Sequence, residues 1–254
     1  MLAWLRRGKQ PAAATPPPPR PDAPICVIGD VHGRMDLLEQ MLNRIASQPG
    51  ADRARVILVG DLIDRGPDSA AVVARVMAGT EAAPDRMFCL MGNHERMMLD
   101  FLADPVTGRR WLNHGAEATL RSYGVTMPIN RPQAVAREFR ARLPAAQHQW
   151  LANLPLIWTG EPGFTVVHAS ADPARPLDRQ RPDDLLWGTP SFADRPRGDG
   201  VWVAHGHIVM PEPIAAEGRI STDTGAWRSG VLTAAWLDRD GLRFLQVRGT
   251  PAEG

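Results

Sequence analysis

Five short apolar runs in this chain each stop at a residue able to bind a metal ion or a phosphate group, and this constrains the fold more than any other feature. Ile25-Cys26-Val27-Ile28 leads into Gly29-Asp30-Val31-His32-Gly33, and Val56-Ile57-Leu58-Val59 leads into Gly60-Asp61-Leu62-Ile63-Asp64-Arg65-Gly66. Met87-Phe88-Cys89-Leu90-Met91 runs into Gly92-Asn93-His94-Glu95, Phe164-Thr165-Val166-Val167 into His168, and Val201-Trp202-Val203-Ala204 into His205-Gly206-His207. Strands that end together at one edge of an open α/β sheet gather distant residues into a single cleft, the usual place for a ligand. Here that edge would gather Asp30, Asp61, Asn93 and up to four histidines.

The residue types fit metal-assisted phosphoryl chemistry. Asp30 and His32 are two positions apart, so on an extended backbone their side chains fall on the same side and can grip one ion. Carboxylate, amide oxygen and imidazole suit borderline ions, Mn first with Fe or Zn as alternatives, and the lack of cysteine ligands argues against a closed structural zinc site. Asp61 follows a second buried run, where bridging two cations would offset the cost of a buried carboxylate. Two ions about 3.5–4 Å apart could hold an attacking hydroxide and the phosphoryl oxygens in line. Asn93 would add a neutral oxygen ligand, and His94 would point at the leaving group.

With these segments in this order, the chain resembles the phosphoprotein phosphatases, the metal-dependent serine/threonine phosphatases, and in particular their bacterial and phage-like branch among the calcineurin-like metallophosphoesterases. The resemblance runs over roughly residues 24 to 248 and takes in Trp111-Leu112, Gly115 through Tyr123-Gly124, Leu185-Leu186-Trp187 and Ser221 through Ala226. It implies that Asp30, His32 and Asp61 hold one metal, and Asp61, Asn93, His168 and His207 the other. It further implies His94 as general acid, Asp64 as the group that orients it, and Arg65 as a phosphate ligand. The fold implied is α/β, two packed mixed β-sheets flanked by helices. One departure matters: after Leu-Leu-Trp the family brings a second phosphate-binding arginine, and here Thr189 stands at that place, with Arg195 and Arg197 a few residues on.

Other residues have blander readings. His205 supports its neighbours more readily than it binds an ion. His114 and His148 lie in helical-looking segments as surface or packing residues. Cys26 and Cys89 sit in apolar strands as small hydrophobes, and two such cysteines suit a reducing, cytoplasmic compartment. Trp187 and Trp227 either line the cleft or pack.

Helical spacing of Leu37, Leu38, Met41, Leu42 and Ile45 predicts a helix over 36–46, and Asp68-Ser69 opens another that ends before Gly79. Residues 95–160 read as a mainly helical insertion broken at Gly124 and Pro128. From Arg219 onward short strands follow, with Asp240-Gly241 turning a hairpin between 231–237 and 243–247. One catalytic domain is expected over 24–250, preceded by a disordered proline-rich tail over 1–23 that could serve as a weak docking segment. Near-balanced charge (+1) leaves no footprint for nucleic acid. No apolar stretch reaches the roughly 20 residues needed for stable membrane insertion. The expected activity is hydrolysis of serine/threonine phosphomonoesters, in a phosphoprotein or phosphopeptide, by direct attack of a metal-bound hydroxide. Alternatives are a nucleotide hydrolase of the symmetrical diadenosine tetraphosphatase type, which Asp64 and Glu95 disfavour, and a catalytically weak phosphoprotein-binding module.

Overall fold

The computed structural model describes residues 15–251. Its first unit is the predicted parallel start: β1 (Ile25–Ile28), α1 (Met35–Ala46), β2 (Arg55–Leu58), α2 (Ser69–Ala82) and β3 (Met87–Cys89), with β1 parallel to β2 and β2 to β3. The helical insertion follows as α3 (Asn93–Ala103), a 3-10 turn (Thr107–Asn113), α4 (Ala116–Ser122), α5 (Pro132–Arg142) and α6 (Ala145–Ala152). The second half holds β4 (Ile157–Glu161), β5 (Phe164–Val167), α7 (Pro182–Trp187), α8 (Pro190–Asp194), β6 (Trp202–His205), β7 (Ile214–Ala216), β8 (Arg219–Ser221), α9 (Ala226–Ser229), β9 (Val231–Asp238) and β10 (Gly241–Arg248). The strands form two five-stranded mixed sheets, ordered β10-β9-β1-β2-β3 and β4-β5-β6-β8-β7.

The period-2 alternation of strand side chains explains why β1 and β2 read as unbroken apolar runs: both faces are covered. Ile25, Val27 and Ile57 pack inward against Trp158, Phe164, Val166 and Trp202 of the second sheet. Cys26, Ile28 and Leu58 face the other way, onto Leu38, Met41, Val72 and Val76 of α1 and α2. A third cluster, with Val167, Val203, Leu185 and Phe192, closes the outer face of the second sheet. Truncating a fully buried leucine such as Leu58 is expected to cost about 2–5 kcal/mol.

Three expectations change. The second helix does not stop before Gly79 but runs through it to Ala82, because a Cβ at Gly79 would lie 2.4 Å from Met87 Sδ, so the residue serves helix–strand contact and not termination. The proline-rich tail has no regular secondary structure over 15–23, yet it packs: Pro21 and Pro24 are buried, and the Pro16 carbonyl accepts the Trp202 indole N–H at 2.8 Å. The remainder of the tail, residues 1–14, lies outside the described residues. Finally, β4 begins inside the expected insertion.

Candidate active site

The sheets bring the motif residues together because β1, β2, β3, β5 and β6 all end at one edge. Asp30 and His32 follow β1, Asp61 follows β2, Asn93 and His94 open α3, His168 follows β5, and His207 follows β6. Close approach dictates the motif glycines. A Cβ on Gly206 would fall 1.9 Å from Asp30 Oδ1, and one on Gly92 would fall 2.1 Å from Asp61 Oδ1. Among the described residues only six non-glycines have positive φ, and five of them are His32, Asp61, Asp64, Arg65 and His207.

Asp61 lies at the centre. His32 Nε2 is 3.5 Å from one of its oxygens and His168 Nε2 is 3.5 Å from the other. Two groups of metal-capable donors, Asp61 with His32 and His94 and Asp61 with His168 and His207, share this carboxylate. Asn93 Oδ1 lies 2.8 Å from His168 Nε2 and 3.0 Å from His207 Nδ1. The His168 Nδ1–H donates to the Val59 carbonyl, so Nε2 turns a bare lone pair toward the amide oxygen. Two lone pairs so placed repel unless a cation lies against both, and the donor set therefore fits a metal ion. Likewise the His32 Nδ1–H donates to the Ile63 carbonyl at 2.7 Å, leaving Nε2 free. Burial holds these imidazoles neutral: it pushes His32 down to about 3 and, helped by His168, His207 down to about 4. Asp61 is buried too, but the surrounding histidines, His168 foremost, hold it below the usual carboxylate range. Burial, Asp223 and Asp61 together push Asp30 well up, and the His207 backbone N–H donates to it at 3.1 Å.

His94 occupies a separate arrangement. Its Nδ1–H donates to Asp64 Oδ2 at 2.6 Å, and Asp64, fully buried, also accepts the Trp111 indole N–H at 2.8 Å and the Thr119 hydroxyl at 2.6 Å. Burial works against the charged imidazole, but Asp61 and the bond to Asp64 outweigh it and hold His94 above the ordinary histidine range. Arg65 spans the cleft, with Nη1 3.0 Å from His32 Nε2, Nη2 3.1 Å from His94 Nε2 and its guanidinium 5.0 Å from the Trp227 ring centre.

All nine candidate residues thus lie in one cleft, and several others join them. Glu95, fully buried, accepts backbone N–H groups of Asp61, Leu62, Ile63 and Gly92. It fixes the loop carrying Asp61, a structural duty that removes its value for telling substrates apart. Asp223 lies beside Asp30, and Trp111 and Thr119 hold Asp64, which gives a physical reason for two stretches singled out only by resemblance. His114, read as a surface or packing residue, is exposed, with its ring centre 6.4 Å from that of His94. His205 donates to the Gly206 carbonyl and lies 3.0 Å from Ser221 Oγ, bracing the loop. Trp187 does reach the cleft, edge-on to His207 at 6.5 Å. Arg197 does not: it grips Asp199 and the carbonyls of Asp172 and Arg175. Arg195 is exposed, and its charge helps hold the Asp172 carboxyl below its usual range.

Comparison with known proteins gives four findings. The family model for calcineurin-like phosphoesterases matches residues 23–249. The chain is 25% identical to the asymmetrical bis(5'-nucleosyl)-tetraphosphatase PrpE of Bacillus mycoides, over 87% of this chain and 90% of that protein. It is 36% identical to serine/threonine-protein phosphatase 1 of Salmonella typhimurium, over 37% of this chain and 39% of that protein. Among solved structures, a Saccharomyces cerevisiae serine/threonine phosphatase with similarity to human PP5 superimposes with a TM-score of 0.63 at 16% identity, covering 92% of this chain and 82% of that one.

Proposed function

Since the chain belongs to the calcineurin-like phosphoesterase family, we propose that it is a metal-dependent phosphomonoesterase whose substrate carries phosphate on an alkyl oxygen, as in phosphoserine or phosphothreonine. The observation that carries this reading is the buried Asp64–His94 pair. An alkoxide is a poor leaving group and cannot depart without a proton, so an acid held charged above the usual histidine range is worth most on such a substrate. A nucleotide leaves as a phosphate, a much weaker base, and gains little from the same acid.

The roles proposed are those implied by the family resemblance, and the convergence of these side chains in one cleft supports them. Asp30, His32 and Asp61 would hold one divalent ion, and Asp61, Asn93, His168 and His207 a second. Such ions supply Lewis-acid charge at the phosphoryl oxygens and activate the attacking water, and Mn, Fe or Zn suits the donors. Arg65 binds phosphoryl oxygens from the far side of His32 and His94, its fork suited to two at once. As water bonds to phosphorus and the P–O bond to the alcohol breaks, His94 passes the proton on Nε2 to the departing oxygen, and Asp64 stabilises the imidazole through Nδ1–H.

The second reading, hydrolysis of dinucleoside polyphosphates, draws support from the PrpE relative, which matches over most of the chain. The deciding experiment compares a phosphoserine peptide, diadenosine tetraphosphate and p-nitrophenyl phosphate on the Mn-loaded protein and on His94→Asn. The substitution is expected to lower kcat for the peptide by about 10²–10⁴-fold and for the aryl phosphate far less. Preference for the tetraphosphate, with equal damage to all three substrates, would replace the first reading by the second.

A further inference from the structure

The place where the resemblance leads one to expect a second phosphate-binding arginine holds no cation. Thr189 donates its backbone N–H to Ser170 Oγ at 3.0 Å, and its hydroxyl lies 3.2 Å from that of Ser191. Arg197 does not substitute for it, since its guanidinium is taken up by Asp199 and by the carbonyls of Asp172 and Arg175. A different guanidinium reaches the same wall of the cleft. Arg110, on the 3-10 turn, lies with its guanidinium carbon 4.6 Å from the ring centre of Trp187, the residue two before Thr189. The Trp187 ring in turn meets His207 edge-on.

The turn that carries Arg110 is fixed to the catalytic apparatus at both sides. Trp111, the next residue, is fully buried and donates to Asp64, and the Arg110 carbonyl accepts the His114 Nδ1–H at 2.7 Å, with His114 facing His94. Among the described residues the Arg110 guanidinium has no carboxylate partner, whereas Arg34, Arg55, Arg75, Arg121 and Arg197 each have one. A planar cation stacked on an indole keeps its N–H edge free for an anion and loses little freedom when it binds one.

We propose that Arg110, stacked on Trp187, is the second guanidinium that binds the phosphoryl oxygens of the substrate, opposite Arg65 and in place of the one absent at position 189. The proposal rests on the phosphomonoesterase reading for its ligand but not on the identity of the alcohol. Arg110 holds the phosphate and takes no part in proton transfer, so its removal acts on affinity more than on turnover.

Inorganic phosphate is the probe, with its binding to the Mn-loaded full chain measured by calorimetry. Arg110→Ala is expected to weaken phosphate about tenfold, the loss of one charge-assisted bond at a partly exposed position, with the melting temperature unchanged. KM for p-nitrophenyl phosphate should rise in parallel while kcat stays within about twofold. A folded Arg110→Ala protein that binds phosphate as tightly as the parent overturns the proposal. If the alanine variant is unstable, Arg110→Lys carries the test, since it keeps the charge but loses the fork and the stack. Weakening of about threefold supports the proposal and parental affinity overturns it. Failure of the broader reading would show separately, as a parent that binds phosphate but hydrolyses none of the phosphomonoesters.

Discussion

Replacing Asp64 by asparagine isolates the effect of one buried charge, because the structure lets the amide take over every hydrogen bond. Its carbonyl oxygen can accept from His94 Nδ1–H and from the Trp111 indole, as Oδ2 does now, while its NH2 donates to Thr119 Oγ1. Thr119 can still donate to Ser69 Oγ, 3.1 Å away. Asparagine also tolerates the positive φ of +72° at this position. What is lost is charge assistance: a bond to a charged group contributes about 1.5–3 kcal/mol and a neutral one about 0.5–1.5. The difference, about 1.4 kcal/mol, is one pKa unit on His94. His94 sits above its ordinary value, so its proton is present at low pH and is lost as pH rises through the folded value. Its contribution to stability is complete below the unfolded value, about 6.5, and disappears over that same rise. In Asp64→Asn the alkaline fall of kcat on a phosphoserine peptide is therefore expected to begin about one unit lower, with metal content unchanged. Asp64→Ala should behave differently. It leaves the Trp111 indole N–H and the His94 Nδ1–H without their buried acceptor, at about 1–3 kcal/mol each, and its melting temperature should drop where that of Asp64→Asn barely moves. An alkaline limb that stays in place in fully loaded Asp64→Asn would falsify the assignment of that limb to His94.

Three further outcomes are expected. Asp61→Asn should lose more metal and more activity than Asp30→Asn, because Asp61 stands between both donor groups and Asp30 beside one; elemental analysis of about two ions per parent chain against a clear deficit in Asp61→Asn checks this. Removing residues 1–14 should leave kcat on p-nitrophenyl phosphate unchanged. Removing 1–22 also strips the Pro16 carbonyl from Trp202, and should cost about 1–2 kcal/mol in a denaturation experiment with kcat preserved.

Much of this was legible because the sequence places its chemistry at strand ends. Apolar runs ending in Asp, Asn or His forecast the parallel β1-β2-β3 order and the meeting of Asp30, Asp61, Asn93 and the histidines at one edge, while Asp64 and Arg65 came from the family resemblance. What escaped the sequence was whatever depends on contacts across long separations. Nothing local marks Glu95 as the acceptor for four backbone N–H groups, three of them more than thirty residues away. Trp111 and Thr119 are 47 and 55 residues from Asp64. Arg110 and His114 were invisible for the same reason, since a short 3-10 turn has no hydrophobic period that tells which side faces a site. Gly79 misled because glycine signals both a helix end and a close approach, and only the position of Met87 distinguishes the two.

The five cleft residues held at positive φ put stability and catalysis in competition at the same backbone positions. Such conformations cost on the order of 1–3 kcal/mol each in a side chain that resists them, and aspartate and histidine, which supply four of the five, resist less than most. Glycine at any of them would let the chain relax and would delete a ligand, an acid's partner or a phosphate contact with it. Lineages or libraries selected for heat resistance alone should therefore accumulate glycine and asparagine at 32, 61, 64, 65 and 207, becoming hardier as they lose the reaction. A homologue with glycine at several of these positions would be expected to keep the two-sheet architecture as a scaffold put to another use.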